Sequence, residues 1–168
     1  MFTHMPKKKS IILCHGFFEP EVMALMRRYT SKTFFVMEGR PTLASGRQTC
    51  QALMEKGHVP VIITDNMPGI LFYKECVHSV RLTYQTLGAD GALCLTGALT
   101  LGILAKKHKV PVHAYPTGHE VAPLAAPREV LRFNGVKTAA PGIKGYAPQL
   151  EWVPRKYITE IYSFAEGA

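Results

Sequence analysis

Short apolar runs alternate with stretches of helical spacing along this chain. Residues 10–14 (SIILC), 33–37 (TFFVM), 59–64 (VPVIIT), 80–87 and 110–115 read as strands. Between them the spacing predicts helices over 19–28, 45–56, 67–75 and 96–107. In the second helix Cys50, Leu53 and Met54 share a face, and Gly57 sits where a terminating glycine belongs. Asp65 or Asn66 stands at the capping position of the third. The fourth carries Lys106 and Lys107 in its last turn, as the helix dipole favours. Such alternation predicts an α/β fold, a mostly parallel sheet with helices on both faces. After residue 117 the pattern weakens. Residues 135–154, rich in Gly and Pro, read as an extended arm, and Pro154 leads into a last predicted helix over 155–164. Residues 1–9 read as a basic tail and 10–168 as one domain, with no internal repeats.

Composition narrows the class. A chain of 168 residues suits a single domain with a real core. Apolar residues at 47% and charged residues at 19% exclude a disordered chain. No apolar run approaches the roughly eighteen residues of a membrane span, and the basic N-terminus is not followed by a signal-peptide core. A soluble, cytoplasmic protein is expected. The formal charge is +8, of which Lys7, Lys8 and Lys9 supply three, with further clusters at Arg27–Arg28 and at Lys106, Lys107 and Lys109. A basic surface attracts phosphates, whether of nucleic acid, nucleotides or sugar phosphates; it is equally what a solvated face plus a tail looks like. No aromatic–basic stripe or zinc-finger spacing accompanies the charge. Cys14, Cys50, Cys76 and Cys94 form no CxxC pair, so neither a zinc site nor a dithiol motif is indicated. No metal or other cofactor is expected.

In open α/β sheets, ligands bind beyond the carboxyl ends of the strands. That rule selects residues 14–16, 38–41, 64–66, 83–85 and 116–120. Arg40, Ser45, Gly46 and Arg47 form the most physical cluster. Ser45-Gly46 would open a helix whose free N–H groups favour an anion, and two arginines nearby suit a phosphate. The plainer reading has Ser45 as a cap and Arg47 in solvent. Glu38 is either a general base or the partner of Arg40. Asp65 either contacts a ligand hydroxyl or caps the next helix. Cys14 beside His15 suggests an activated thiol, although adjacent strand residues face opposite sides. His119 and Glu120 are loose acid–base candidates, and His15, His113 and His119 make only a weak metal pattern.

The stretch Glu38-Gly39-Arg40-Pro41-Thr42-Leu43-Ala44-Ser45-Gly46-Arg47-Gln48-Thr49 resembles E-x-R-P-x-L-x-G-x-R-x-T-A of the initiation factor 2B / methylthioribose-1-phosphate isomerase family. Val61-Ile62-Ile63-Thr64-Asp65-Asn66-Met67 is similar to its V-T-L-I-T-D-x-M, and Ile12-Leu13-Cys14-His15 to its I-L-T-H. Ile103-Leu104-Ala105 and Val110-Pro111 resemble its apolar helix and I-P. Residues 148–154 and 158–159 resemble its N-P-x-F-D-V-T-P and L-I-T. The likeness is to the C-terminal half of that family and covers most of the chain.

The resemblance implies a single Rossmann-like domain of the class shared with NagB, RpiA and the CoA transferases, a homodimer or heterodimer, and sugar-phosphate or nucleotide ligands. It also implies departures. The family isomerases use a cysteine after T-H, an aspartate in G-A-D, a Gln and an Asn-Lys pair. Here the cysteine position is Gly16 and the Gln position is Ala44. The aspartate position falls on Gln85, with Gly88-Ala89-Asp90 as a second placement, and the Asn-Lys pair falls near Cys94-Leu95. The leading expectation is therefore a divergent, stand-alone family member. It would bind a phosphorylated small molecule through Glu38, Arg40, Ser45, Gly46 and Arg47, without the family's isomerisation. One alternative is a sugar-phosphate aldose–ketose isomerase with relocated chemistry drawn from Cys14, His15, Asp65, Gln85, Asp90 or His119. The other is a regulatory module that works through a protein face or through RNA.

Overall fold

The computed structural model describes residues 6–26 and 32–164. Five parallel strands form the centre, and each begins where an apolar run begins. They are β1 (Ile11–His15), β2 (Thr33–Met37), β3 (Val61–Ile63), β4 (Val77–Gly88) and, after β5 (Gly91–Leu95), β6 (Val112–Pro116). The helices between them are α1 (Pro20–Leu25), α2 (Ala44–Glu55), α3 (Pro68–Tyr73) and α4 (Ala98–Lys107). The predicted helix over 19–28 is thus shorter, and its last two positions lie outside the described residues. No helix among the described residues is long and apolar enough to cross a membrane.

Alternation along the strands sends side chains to two apolar layers. Ile12, Cys14, Phe34 and Val36 pack with Val22 of α1 and Leu53 of α2. Ile11, Leu13, Phe35, Met37, Val80 and Leu82 pack with Leu71 and Phe72 of α3 and Leu101 of α4 on the other face. The sheet is therefore covered on both sides, as its apolar runs require.

The sheet order runs β10 (Glu160–Ile161), β6, β4, β1, β2, β3, all parallel. The sequence differs from its prediction in three places. β4 is twelve residues long, and its far half turns at Ala89-Asp90 into the antiparallel β5. The arm holds a small hairpin, β7 (Arg132–Phe133) with β8 (Val136–Lys137), and then β9 (Leu150–Pro154), which pairs with β5. The predicted last helix is instead a single 3₁₀ turn, Arg155–Tyr157, followed by β10 (Glu160–Ile161). The β-branched residues Ile158, Thr159 and Ile161 favour an extended chain. The edge of β6 receives it: Thr159 N–H donates to the Val112 carbonyl at 2.8 Å, and Val112 N–H donates to Thr159 Oγ1 at 3.0 Å.

Parallel order puts every strand-to-helix connection at one end of the sheet and every helix-to-strand connection at the other. Those two ends carry the charge of the molecule in different forms.

Candidate functional site

The chain reverses sheet direction between β1 and β4, so the crevice at their carboxyl ends is the expected ligand position. His15 closes β1 and is buried. Its Nε2 lies 3.0 Å from the Thr96 carbonyl, which requires Nε2 to carry the proton and donate. Its Nδ1 and the Thr96 hydroxyl have no partner among the described residues. Burial holds the imidazole pKa below the ordinary histidine value, against the opposing pull of Asp65 and Glu151. Gly16 follows with φ +126°, and a Cβ there would stand 1.9 Å from Thr83 Oγ1. This backbone accepts no side chain at the position where the resemblance places a cysteine. Thr83 and Thr49 fix the turn: Phe17 N–H donates to Thr83 Oγ1, Phe18 N–H to Thr49 Oγ1, and Thr49 Oγ1 to the Gly16 carbonyl.

The loop from β2 to α2 is the most firmly built part of this end. Asp65 accepts from Gly39 N–H at 3.0 Å and from Arg40 N–H at 2.6 Å, one bond to each carboxylate oxygen. It therefore ties a loop and caps no helix; α3 opens at Pro68 without a side-chain cap. Glu38 has its carboxyl pKa raised by burial first and by Asp65 second, with Arg40 opposing. Helix α2 begins at Ala44, one residue earlier than predicted, with Leu43 as its N-cap and no side-chain cap. Its first-turn N–H groups, including those of Ser45 and Gly46, have no intrahelical acceptor. Gly46 lies against the end of β2, where a Cβ would meet the Glu38 carbonyl at 2.5 Å and the Met37 carbonyl at 2.7 Å.

Arg40 does not pair with Glu38. Its guanidinium reaches the arm and donates to the carbonyls of Arg132 (3.1 Å), Glu129 (3.3 Å) and Val130 (3.4 Å), with Phe133 stacked 5.4 Å away. Arg47 is not left in solvent alone either, since it donates to Asn134 Oδ1 at 3.1 Å. The two arginines thus bring the arm hairpin over the start of α2. Between them opens a cleft of about 550 Å³, lined by Arg40, Arg47, Arg128, Arg132, Glu129 and Asn134 among others. Four guanidiniums face one carboxylate, and that carboxylate lies 3.3 Å from Arg128. Arg128 and Arg132 were missed in the sequence because they sit in a stretch without periodicity, 80 residues or more from their neighbours in the cleft. The inner void behind the loop, between Phe17, Ser45, Leu95, Val121 and Gln149, measures only about 10 Å³. The arm fills the inner crevice, and at this end of the sheet the arginine cleft is the more spacious of the two.

The remaining sequence candidates lie apart from it. Cys14 points into the α1–α2 layer, opposite His15, and burial pushes its thiol up to about 12. Gln85 is bonded to the arm through both its amide atoms, accepting from Val121 N–H at 3.0 Å and donating to the Val121 carbonyl at 3.5 Å. Asp90 sits in the exposed β4–β5 turn, where its carbonyl accepts from Arg155 N–H. His119 stacks on Phe17 with ring centres 3.8 Å apart, in a loop tied to Glu19 through Thr117 and Gly118. His113 pairs with Glu160 at 3.1 Å on the β6–β10 edge, away from His15. One functional-looking feature had no sequence signal at all: Arg81, in mid-β4, is buried and donates to the Tyr115 hydroxyl.

Comparison with known proteins agrees with this architecture. Residues 5–163 match the model of the initiation factor 2 subunit family. The chain is 30% identical over 153 residues to the methylthioribose-1-phosphate isomerase of Thermus thermophilus, a match covering 79% of this chain and 46% of that one. Among solved structures, subunit delta of translation initiation factor eIF-2B from A. fulgidus superposes with a TM-score of 0.76 at 21% identity, covering 92% of this chain and 52% of that one. The 5-methylthioribose 1-phosphate isomerase of Pyrococcus horikoshii gives 0.72 at 21% identity, covering 92% and 49%. The chain spans about half the length of these relatives.

Proposed function

The chain belongs to the initiation factor 2 subunit family, and from that premise we propose that it binds a phosphorylated small molecule, a sugar phosphate or a nucleotide, in the arginine cleft. The observation that carries this reading is the convergence of Arg40, Arg47, Arg128 and Arg132 on one open cleft beside the start of α2. Planar guanidiniums fork onto phosphate oxygens. Arg128 and Arg132 are exposed and close on an anion while Arg40 keeps its hold on the arm. The protein works as a cytoplasmic homodimer in this reading, without the family's isomerisation by the family's residues. Gly16 and Gln85 stand where the cysteine and aspartate of that chemistry are expected, the former with no room for a side chain.

A second reading, aldose–ketose isomerisation of a sugar phosphate, is favoured by the names of the relatives. In that reading Asp65 and Glu38, the two carboxylates at the loop, supply the acid and base.

Thermal unfolding against a panel of sugar phosphates and nucleotides at fixed salt tests the binding. A ligand near 100 times its Kd adds about 2.7 kcal/mol, and that shift disappears in Arg47→Ala/Arg132→Ala. A panel in which no compound moves the transition defeats the proposal. Turnover of any aldose phosphate that responds then selects the second reading over the first.

A further inference from the structure

The other end of the sheet is more basic than the arginine cleft, and is built from a different residue. Every helix-to-strand connection emerges there, and nearly every one carries lysine. Lys7, Lys8 and Lys9 precede β1, and Lys32 precedes β2. Lys56 ends α2 and Lys74 ends α3. Lys106 and Lys107 fill the last turn of α4, and Lys109 lies in the turn before β6. Contacts join these loops into one surface. Lys9 N–H donates to the Glu75 carbonyl at 2.9 Å, and Lys32 Nζ donates to the Lys9 carbonyl at 2.7 Å. Lys9, Glu75 and His108 also line one small depression. Nine lysines face two carboxylates, Glu55 and Glu75, which leaves a surplus of seven among the described residues. Glu75 forms the one ion pair found there among those residues, with Lys8 at 2.7 Å.

Helix dipoles account for part of this. The carboxyl ends of α2, α3 and α4 each present about half a negative charge, which Lys56, Lys74, Lys106 and Lys107 complement. Lys7, Lys8, Lys9, Lys32 and Lys109 lie outside that explanation.

We propose that this lysine end is a docking surface for the phosphate backbone of a nucleic acid. Five strands at about 4.8 Å spacing spread the charges over roughly 19 Å, a row and not a point. The depression within it holds only about 10 Å³, so no small anion is enclosed. Lysine is a mobile, hydrated point charge that follows a backbone without reading bases. An anionic membrane surface attracts lysines as well, but this end has no amphipathic helix lying flat to add apolar insertion; the helices here meet it tip-first.

The test is fluorescence anisotropy of a labelled 20-nucleotide uridine RNA from 50 to 200 mM salt, alongside sedimentation with phosphatidylserine vesicles. Four or five phosphate contacts on a single strand give a slope of about −3 in log K against log salt, roughly a 60-fold loss over that range. Lys74→Ala/Lys107→Ala/Lys109→Ala weakens binding at least tenfold and flattens the slope by about 2. Arg47→Ala/Arg132→Ala leaves it within twofold. The proposal is overturned if RNA is not retained at 50 mM salt, if the lysine variant binds like the parent, if the arginine variant is the one that fails, or if vesicles bind and RNA does not.

Discussion

The arginine cleft and the lysine end of this sheet both carry excess positive charge, but by different means. At the arginine end the backbone is fixed by directional contacts, and the guanidiniums of Arg40 and Arg47 are held by named acceptors: Asp65 ties the loop, Gly46 admits α2 against β2, Arg40 holds the arm, and Arg47 donates to Asn134. At the lysine end the charged groups stand on exposed turns and helix ends, and Lys8 with Glu75 is the one ion pair between them among the described residues. A fixed set of forks suits one small ligand in one pose, while a loose row of ammoniums suits a long polyanion in many. The contrast teaches that a net charge of +8 is not one property of this molecule but two.

If the arginine end is the rigid one, damage there costs stability, and damage at the other end does not. The largest effect is expected for Gly46→Ala, whose new methyl meets two backbone carbonyls; a loss of about 3 kcal/mol in chemical denaturation is expected. A variant that unfolds like the parent would show that α2 slides freely on β2. Next comes Asp65→Ala, which leaves the Gly39 and Arg40 N–H groups without their acceptor and costs about 2 kcal/mol. It also loosens the cleft, so any ligand of the parent binds it more weakly.

Acid is the third probe. His15 is held neutral by burial. Below about pH 6.5 the unfolded chain therefore takes up a proton that the folded chain does not. The stability is present above the ordinary histidine pKa and is lost as pH falls below it. His78, at the lysine end, is shifted the same way by burial and by Lys32, so the parent alone cannot assign the effect. His15→Asn should flatten the fall in Tm between pH 7 and pH 5; an unchanged slope would assign it to His78. The smallest effect is expected at the lysine end itself, where Lys74→Ala/Lys107→Ala should change stability by no more than about 0.5 kcal/mol.

How much of this was legible in the sequence depended on distance along the chain. Apolar runs such as IILC and TFFVM read as buried parallel strands by their short length and their β-branched and aromatic content, and the helices between them follow from spacing. The tight turn at Ala89-Asp90, between the paired Gly88 and Gly91, carries no Asn-Gly or Asp-Gly loop signal, and its residues were read instead as the string Gly88-Ala89-Asp90. The final segment was misread because a proline followed by Arg155 and Lys156 resembles a helix start, while the free edge of β6 is a tertiary fact. At the site, Arg40, Ser45, Gly46 and Arg47 were visible because they are neighbours. Arg40's partners were not, since Arg132 lies 92 residues away. Asp65 was singled out but its role was not, for the same reason: the loop it holds belongs to the preceding strand–helix unit.

The measurement that bears most directly on the account is calorimetric titration of the parent and of Arg47→Ala/Arg132→Ala with ribose 5-phosphate, ribose and the compound that stabilises the parent most. The account predicts that the phosphorylated compound binds the parent, that ribose does not, and that the double variant loses at least tenfold in affinity while unfolding at the parent's Tm. Equal binding to both proteins, or binding of ribose as well as its phosphate, would contradict it.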